Sequence, residues 1–140
     1  LTALTALSLV CSLKPSPAPS SSQLMSEHVL KELSAHGVTG EVVRCVDHDI
    51  KAGVEKDMGD GDQWPAPRDK ILSADILIIA TPTWMGHMSS VAQRVLERLD
   101  AEISETDGHG RPASATAAAA RNAAHLAGAL KASRYPPYPS

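Results

Sequence analysis

Phenylalanine is absent from the 140 residues, and aromatic side chains make up only 3% of them. Any core must therefore be assembled from Leu, Ile, Val, Ala and Met, and each of the two Trp and two Tyr stands out. Cysteine is nearly as scarce. Cys11 and Cys45 show no CxxC spacing, which argues against a zinc knuckle or a redox dithiol, and they read as small apolar residues buried in strands. Charge is balanced, with 13 basic and 16 acidic residues and a formal net charge of −3. No block of one sign could track a phosphodiester backbone, so nucleic acid is excluded as a partner. No apolar run approaches the roughly 20 residues that a membrane-spanning helix needs. The opening Leu1 to Leu13 lacks a basic leader and a small-residue cleavage site, and Val10 is a poor neighbour for a lipidated Cys11. The expected location is the cytoplasm. Signature motifs are missing too: there is no Gly-Lys-Ser/Thr phosphate loop, no trio of spaced glycines between strand and helix, and no GxSxG elbow. Met58 to Asp62 has carboxylates without calcium-loop spacing.

With 43% hydrophobic residues the chain can bury one modest core. Leu4 to Leu13 is a near-continuous apolar run, the mark of a parallel strand covered on both faces. Ser20 and Gln23 have capping-box spacing and predict a helix from Ser21 to about His36, with Met25, Val29 and Leu33 as its apolar positions and Gly37 as its stop. Glu41 to Val46 predicts a second strand, Lys51 to Trp64 a polar and mobile loop, and Pro65 to Ser73 a short helix. Asp75 to Ala80, with four consecutive Ile or Leu, predicts a central, doubly covered third strand. Ser90 and Gln93 repeat the capping-box spacing ahead of a helix that reaches Ala101 or Ile103. Alternating strands and helices imply right-handed crossovers and a parallel sheet, the first half of a doubly wound α/β domain.

Ligands of such sheets sit at the carboxyl ends of strands, where strand order reverses. That singles out the loops after the first and third strands. The first offers Ser12, Lys14, Ser16, Ser20, Ser21 and Ser22 just before a helix N-terminus, a setting suited to a phosphate, although Ser and Pro are also ordinary turn and cap residues. The second reads Thr81-Pro82-Thr83-Trp84-Met85-Gly86-His87-Met88-Ser89, an apolar platform with a glycine for close approach to a flat heteroaromatic ring; a Trp that merely anchors its own loop is the alternative. Asp47-His48-Asp49, at the end of the second strand, and His87 read as solvated surface residues. A phospho-receiver domain would need acidic residues where Cys11-Ser12 and Ala80-Thr81 stand.

Ser12-Leu13-Lys14 with Ser20-Ser21-Ser22, together with Ala80-Thr81-Pro82-Thr83-Trp84-Met85-Gly86 and a helix opening at Ser89-Ser90, resembles the flavodoxin-like NADPH-dependent FMN reductases. The resemblance covers roughly Thr5 to Arg111. It implies that Ser12, Lys14 and Ser20 to Ser22 hold the FMN phosphate and that Pro82, Thr83, Trp84, Met85 and Gly86 lie along the isoalloxazine. It further implies NADPH or NADH as electron donor, small-molecule nucleotide partners, a dimer or tetramer, and no metal. The flavin itself would carry the chemistry, so no protein acid or base is required.

Past Arg111-Pro112 the family would continue with a fourth hydrophobic strand and a glycine-containing loop. Here Ala113 to Lys131 is alanine-dominated, which favours helix within Thr116 to Ala132, and Tyr135 to Ser140 is rich in Pro and Tyr. The reading is thus a partial FMN-binding domain over residues 1–111, truncated after the third strand and third helix, a flavin oxidoreductase either active or decayed through that truncation, with a tail over 112–140. The contrasting class is a non-catalytic nucleotide- or protein-binding α/β module.

Overall fold

The computed structural model describes residues 3–104, and those up to Ala101 form one compact unit. The alanine-rich tail and its expected helix lie outside the described residues. The elements are β1 (Thr5–Val10), α1 (Ser21–Ser34), β2 (Thr39–Arg44), a 3-10 turn (Cys45–Asp47), α2 (Pro65–Ser73), β3 (Ile76–Ala80), a small hairpin of β4 (Thr83–Trp84) and β5 (His87–Met88), and α3 (Ser90–Ser104).

β1 lies in the middle of a three-stranded sheet, order β2-β1-β3, and both pairings are parallel, with Leu7 opposite Glu41 on one side and Leu77 on the other. Ala6 through Val10 are all buried, as a strand covered on both faces requires. Leu7, Leu9 and Cys11 face a core completed by Val43, Cys45, Ile50, Trp64 and the α3 residues Ala92, Val95 and Leu99. Continuing the register beyond Val10 and Arg44 sets Cys11 beside Cys45; both are free thiols in that core. The Cys11 contact and burial push the Cys45 thiol far above its ordinary range, so it stays protonated and apolar in character.

The opposite face is closed by α1. Its inward residues are Ser22 and Ser26. Ser8 Oγ donates to Ser26 Oγ (2.7 Å), which donates to the Ser22 carbonyl (3.0 Å), so a helix carrying small hydroxyl residues approaches β1 closely and satisfies its own polar groups. The expected stripe is therefore displaced: Met25 is 61% exposed and Val29 is also exposed. These two turn toward the β3 side, where no further strand stands among the described residues. For the same reason β3, expected at the centre, is an edge strand there, and Leu77 is 39% exposed.

Of the two expected capping boxes, that at Ser20 is realised in part and that at Ser90 is not. Ser20 Oγ accepts from Gln23 N (3.2 Å), but the Gln23 side chain engages Arg44 and Glu27 instead of turning back. At α3 the cap is Ser89, one residue earlier than expected, whose Oγ accepts from Ala92 N (3.1 Å). The loop after β2, expected to be mobile, is organised around a buried ion pair: Arg98 Nη1 and Nη2 donate to both carboxylate oxygens of Asp62 (2.9 and 2.6 Å), and both side chains are fully buried. Arg98 also donates to the carbonyls of Lys51 and Glu55, and Asp62 accepts from the N–H groups of Lys51, Met58 and Trp64. Its guanidinium stands 5.6 Å from the Trp64 ring centroid.

Candidate functional site

The carboxyl ends of β1 and β3 are fastened together. Cys11 N donates to the Ala80 carbonyl (2.8 Å), extending the β1–β3 ladder by one bond. Ser89 Oγ donates to the Cys11 carbonyl (2.6 Å), and Ser89 N donates to Thr81 Oγ1 (3.0 Å). The two loops singled out by sequence therefore leave the sheet side by side, each anchored at its root.

Between α1, which the first loop leads into, and β3 with the loop after it lies a cavity of ≈ 510 Å³, within the range typical of small-molecule sites. The start of α1 contributes Ser21, Ser22 and Met25 to one wall; β3 and the loop after it contribute Ile78, Pro82 and Thr83 to the other. Ser21 and Ser22 occupy the first turn of α1, where backbone N–H groups have no intrahelical acceptor and the helix dipole is positive. The chemistry of this wall fits a phosphate, and that of the opposite wall fits an apolar ring.

Four of the ten expected residues, Ser21, Ser22, Pro82 and Thr83, thus meet on one cavity. Ser20 spends its hydroxyl on capping α1 and lines a smaller cavity with Arg44. Ser12 is buried and donates to the Lys14 carbonyl (3.1 Å), while the Lys14 side chain is exposed. Trp84, Met85 and Gly86 lie in the hairpin and do not line the cavity. The hairpin was not foreseen. Its two turn residues, Met85 (φ 52°) and Gly86 (φ 79°), both adopt the left-handed region that a tight two-residue connection demands.

Sequence reasoning also missed Arg44 and the task of Asp47. Asp47 accepts from both N (2.8 Å) and Oγ (2.6 Å) of Ser16, and these bonds, with the charges of Arg44 and His48 nearby, hold its carboxyl below the usual range. Arg44, buried at the end of a strand of valines, donates into the first loop. A lone arginine inside a β-branched run was the available signal.

A model of the NADPH-dependent FMN reductase family matches residues 5–134. The chain belongs to this family. The match reaches beyond Arg111, where the motif-level resemblance ended. Among similar proteins, 8-demethyl-8-aminoriboflavin-5'-phosphate synthase of Streptomyces davaonensis is 36% identical over 107 residues, 70% of this chain and 42% of that protein. A stretch of 100 residues, 69% of this chain, is 41% identical to part of a divalent metal cation transporter, MntH, of Mycobacterium bovis, of which it covers 15%. The chain therefore spans less than half the length of either relative. No helix among the described residues is long and apolar enough to cross a membrane. The crystal structure of RosB with bound 8-demethyl-8-formylriboflavin-5'-phosphate superposes with a TM-score of 0.63 at 36% identity, over 70% of this chain and 42% of that one. The FMN reductase domain described here is accordingly a flavodoxin-like α/β sheet, represented by three parallel strands and their helices.

Proposed function

We propose that the cavity between α1 and the β3 loop binds FMN, and that the domain serves an NAD(P)H-dependent flavin oxidoreductase. The observation that carries this reading is the meeting of Ser21 and Ser22, at a helix N-terminus, with Pro82 and Thr83 on one cavity beside the carboxyl end of β3. The name of the RosB ligand, a riboflavin 5'-phosphate, supports it. Ser21 and Ser22 would hold the phosphate with hydroxyl and backbone N–H donors; Pro82 and Thr83 would border the ring, with Trp84 and the turn Met85-Gly86 beside them. Bound FMN supplies hydride and electron chemistry, and the residues named here bind and orient it. Since the chain spans 42% of the synthase, turnover by the whole protein is part of the proposal.

Titration with FMN and with riboflavin tests the reading, because only FMN carries the phosphate. Replacing Ser21 and Ser22 by Ala should weaken FMN by roughly 1.5–3 kcal/mol for each hydrogen bond lost to a charged group and leave riboflavin nearly unchanged. Equal losses for the two ligands would remove the serines from the site, and FMN binding without NAD(P)H oxidation would favour a non-catalytic module.

A further inference from the structure

The loop between β1 and α1 is held at alternate residues from the end of β2 and the 3-10 turn after it. Arg44 Nη1 donates to the carbonyls of Lys14 (3.3 Å) and Ala18 (2.7 Å), while Nε and Nη2 donate to Gln23 Oε1 (3.0 and 2.6 Å) in the first turn of α1. Between those two carbonyls, Ser16 is tied by its N–H and hydroxyl to Asp47. Arg44 is 7% exposed, yet each of these acceptors is a neutral oxygen. Asp47 feels the Arg44 charge but forms no ion pair with it, nor does any other carboxylate among the described residues. A buried guanidinium is ordinarily matched by an anion, because removing its charge from water is costly.

We infer that Arg44 is the positioning residue of the phosphate loop, and that the phosphate monoester of the bound flavin adds a counter-charge to the one that Asp47 supplies from beyond ion-pair distance. This rests on the reading of Ser21 and Ser22 as the phosphate cradle. Two effects follow from the geometry. The fork turns the Lys14 and Ala18 carbonyls toward β2, so their negative ends do not oppose an anion at the helix start. Its positive charge, screened little by solvent, adds to the field of the α1 N-terminus. Neither effect requires Arg44 to touch the ligand.

The test compares wild-type protein, Arg44→Lys and Arg44→Met for FMN and riboflavin affinity, together with hydrogen exchange of the ligand-free protein over residues 12–22. Arg44→Met should weaken FMN by at least about tenfold, the scale of hydrogen bonds to a charged group, with less than about twofold change for riboflavin. It should also speed exchange in the loop. Arg44→Lys keeps the charge without the fork and should recover part of the FMN preference. A purely structural arginine would lower both affinities by the same factor. That result overturns the inference, as does an undiminished preference in Arg44→Met. Wild-type protein that fails to prefer FMN overturns the cradle reading itself and takes the inference with it. Should Arg44→Met not fold, Arg44→Gln removes the charge and the fork while keeping a polar side chain of similar length, and carries the same comparison.

Discussion

Trp84 holds its indole half outside the fold, at 55% exposure, one position ahead of a turn whose Met85 is 97% exposed. A large aromatic in that position contributes little to the ligand-free core and is available to a flat ring arriving beside it. Met85 supports the same view: a side chain other than glycine in the left-handed region is strained, and nothing packs on it in return. Trp84→Ala should therefore leave the melting temperature of the ligand-free protein almost unchanged, within the roughly 0.5 kcal/mol expected of surface substitutions. FMN affinity should fall by about 1–3 kcal/mol, the worth of an aromatic contact with its buried area. Paired thermal melts and flavin titrations decide the point. A clear drop in the melting temperature with unaltered FMN affinity would return Trp84 to the task of anchoring its own loop.

Among the elements, β3 stands out as five apolar residues with no charge, paired on one side only among the described residues. Unprotected strand edges of this kind template association with other chains. Leu77→Lys places a charge on that edge at the loss of about 1 kcal/mol of partial burial, and light scattering at rising concentration should show reduced self-association. The same strand shows how far local sequence signals reach. Its apolar run and the proline that opens α2 are short-range features, and both elements were legible to within a residue; so were the start of α1 and the positions of the two ligand-side loops. What covers a strand is a tertiary fact, and four aliphatic residues in succession read alike at a centre and at an edge. Likewise the serines that α1 turns inward, Ser22 and Ser26, carry no hydrophobic signal, whereas Met25 and Val29 carry one and are exposed. Four of the ten expected site residues share the cavity because helix starts and strand ends are readable; Arg44 was not, because its acceptors are carbonyls, which every residue has.

At the scale of the compact unit that ends at Ala101, a tie spans 36 positions of sequence, from Asp62 in the loop after β2 to Arg98 in α3. The Arg98 guanidinium keeps the Asp62 carboxyl well below the usual carboxylate range. A depressed pKa in the folded state means stabilisation that is fully present above the unfolded value of about 4 and is lost as pH falls through the folded one. Asp62→Asn leaves the Arg98 charge buried without its partner and should cost about 3–5 kcal/mol at neutral pH. Urea melts at pH 7 and at pH 3 should show the gap between wild type and variant narrowing in acid; a gap that stays constant would deny the pair its role.

Ser89 is answerable to three neighbours at once. Its hydroxyl receives the Ala92 N–H and gives its proton to the Cys11 carbonyl, while its own N–H goes to Thr81, all at 1% exposure. Only an oxygen two bonds from the backbone, able both to accept and to donate, meets that specification. Alanine would strand two bonds, asparagine would overfill the space, and threonine would have to find room for a methyl group. Ser90, the next residue and chemically identical, is exposed and under no such obligation. Two adjacent serines thus differ entirely in what may replace them, and the distinction belongs to the fold, not to the letters.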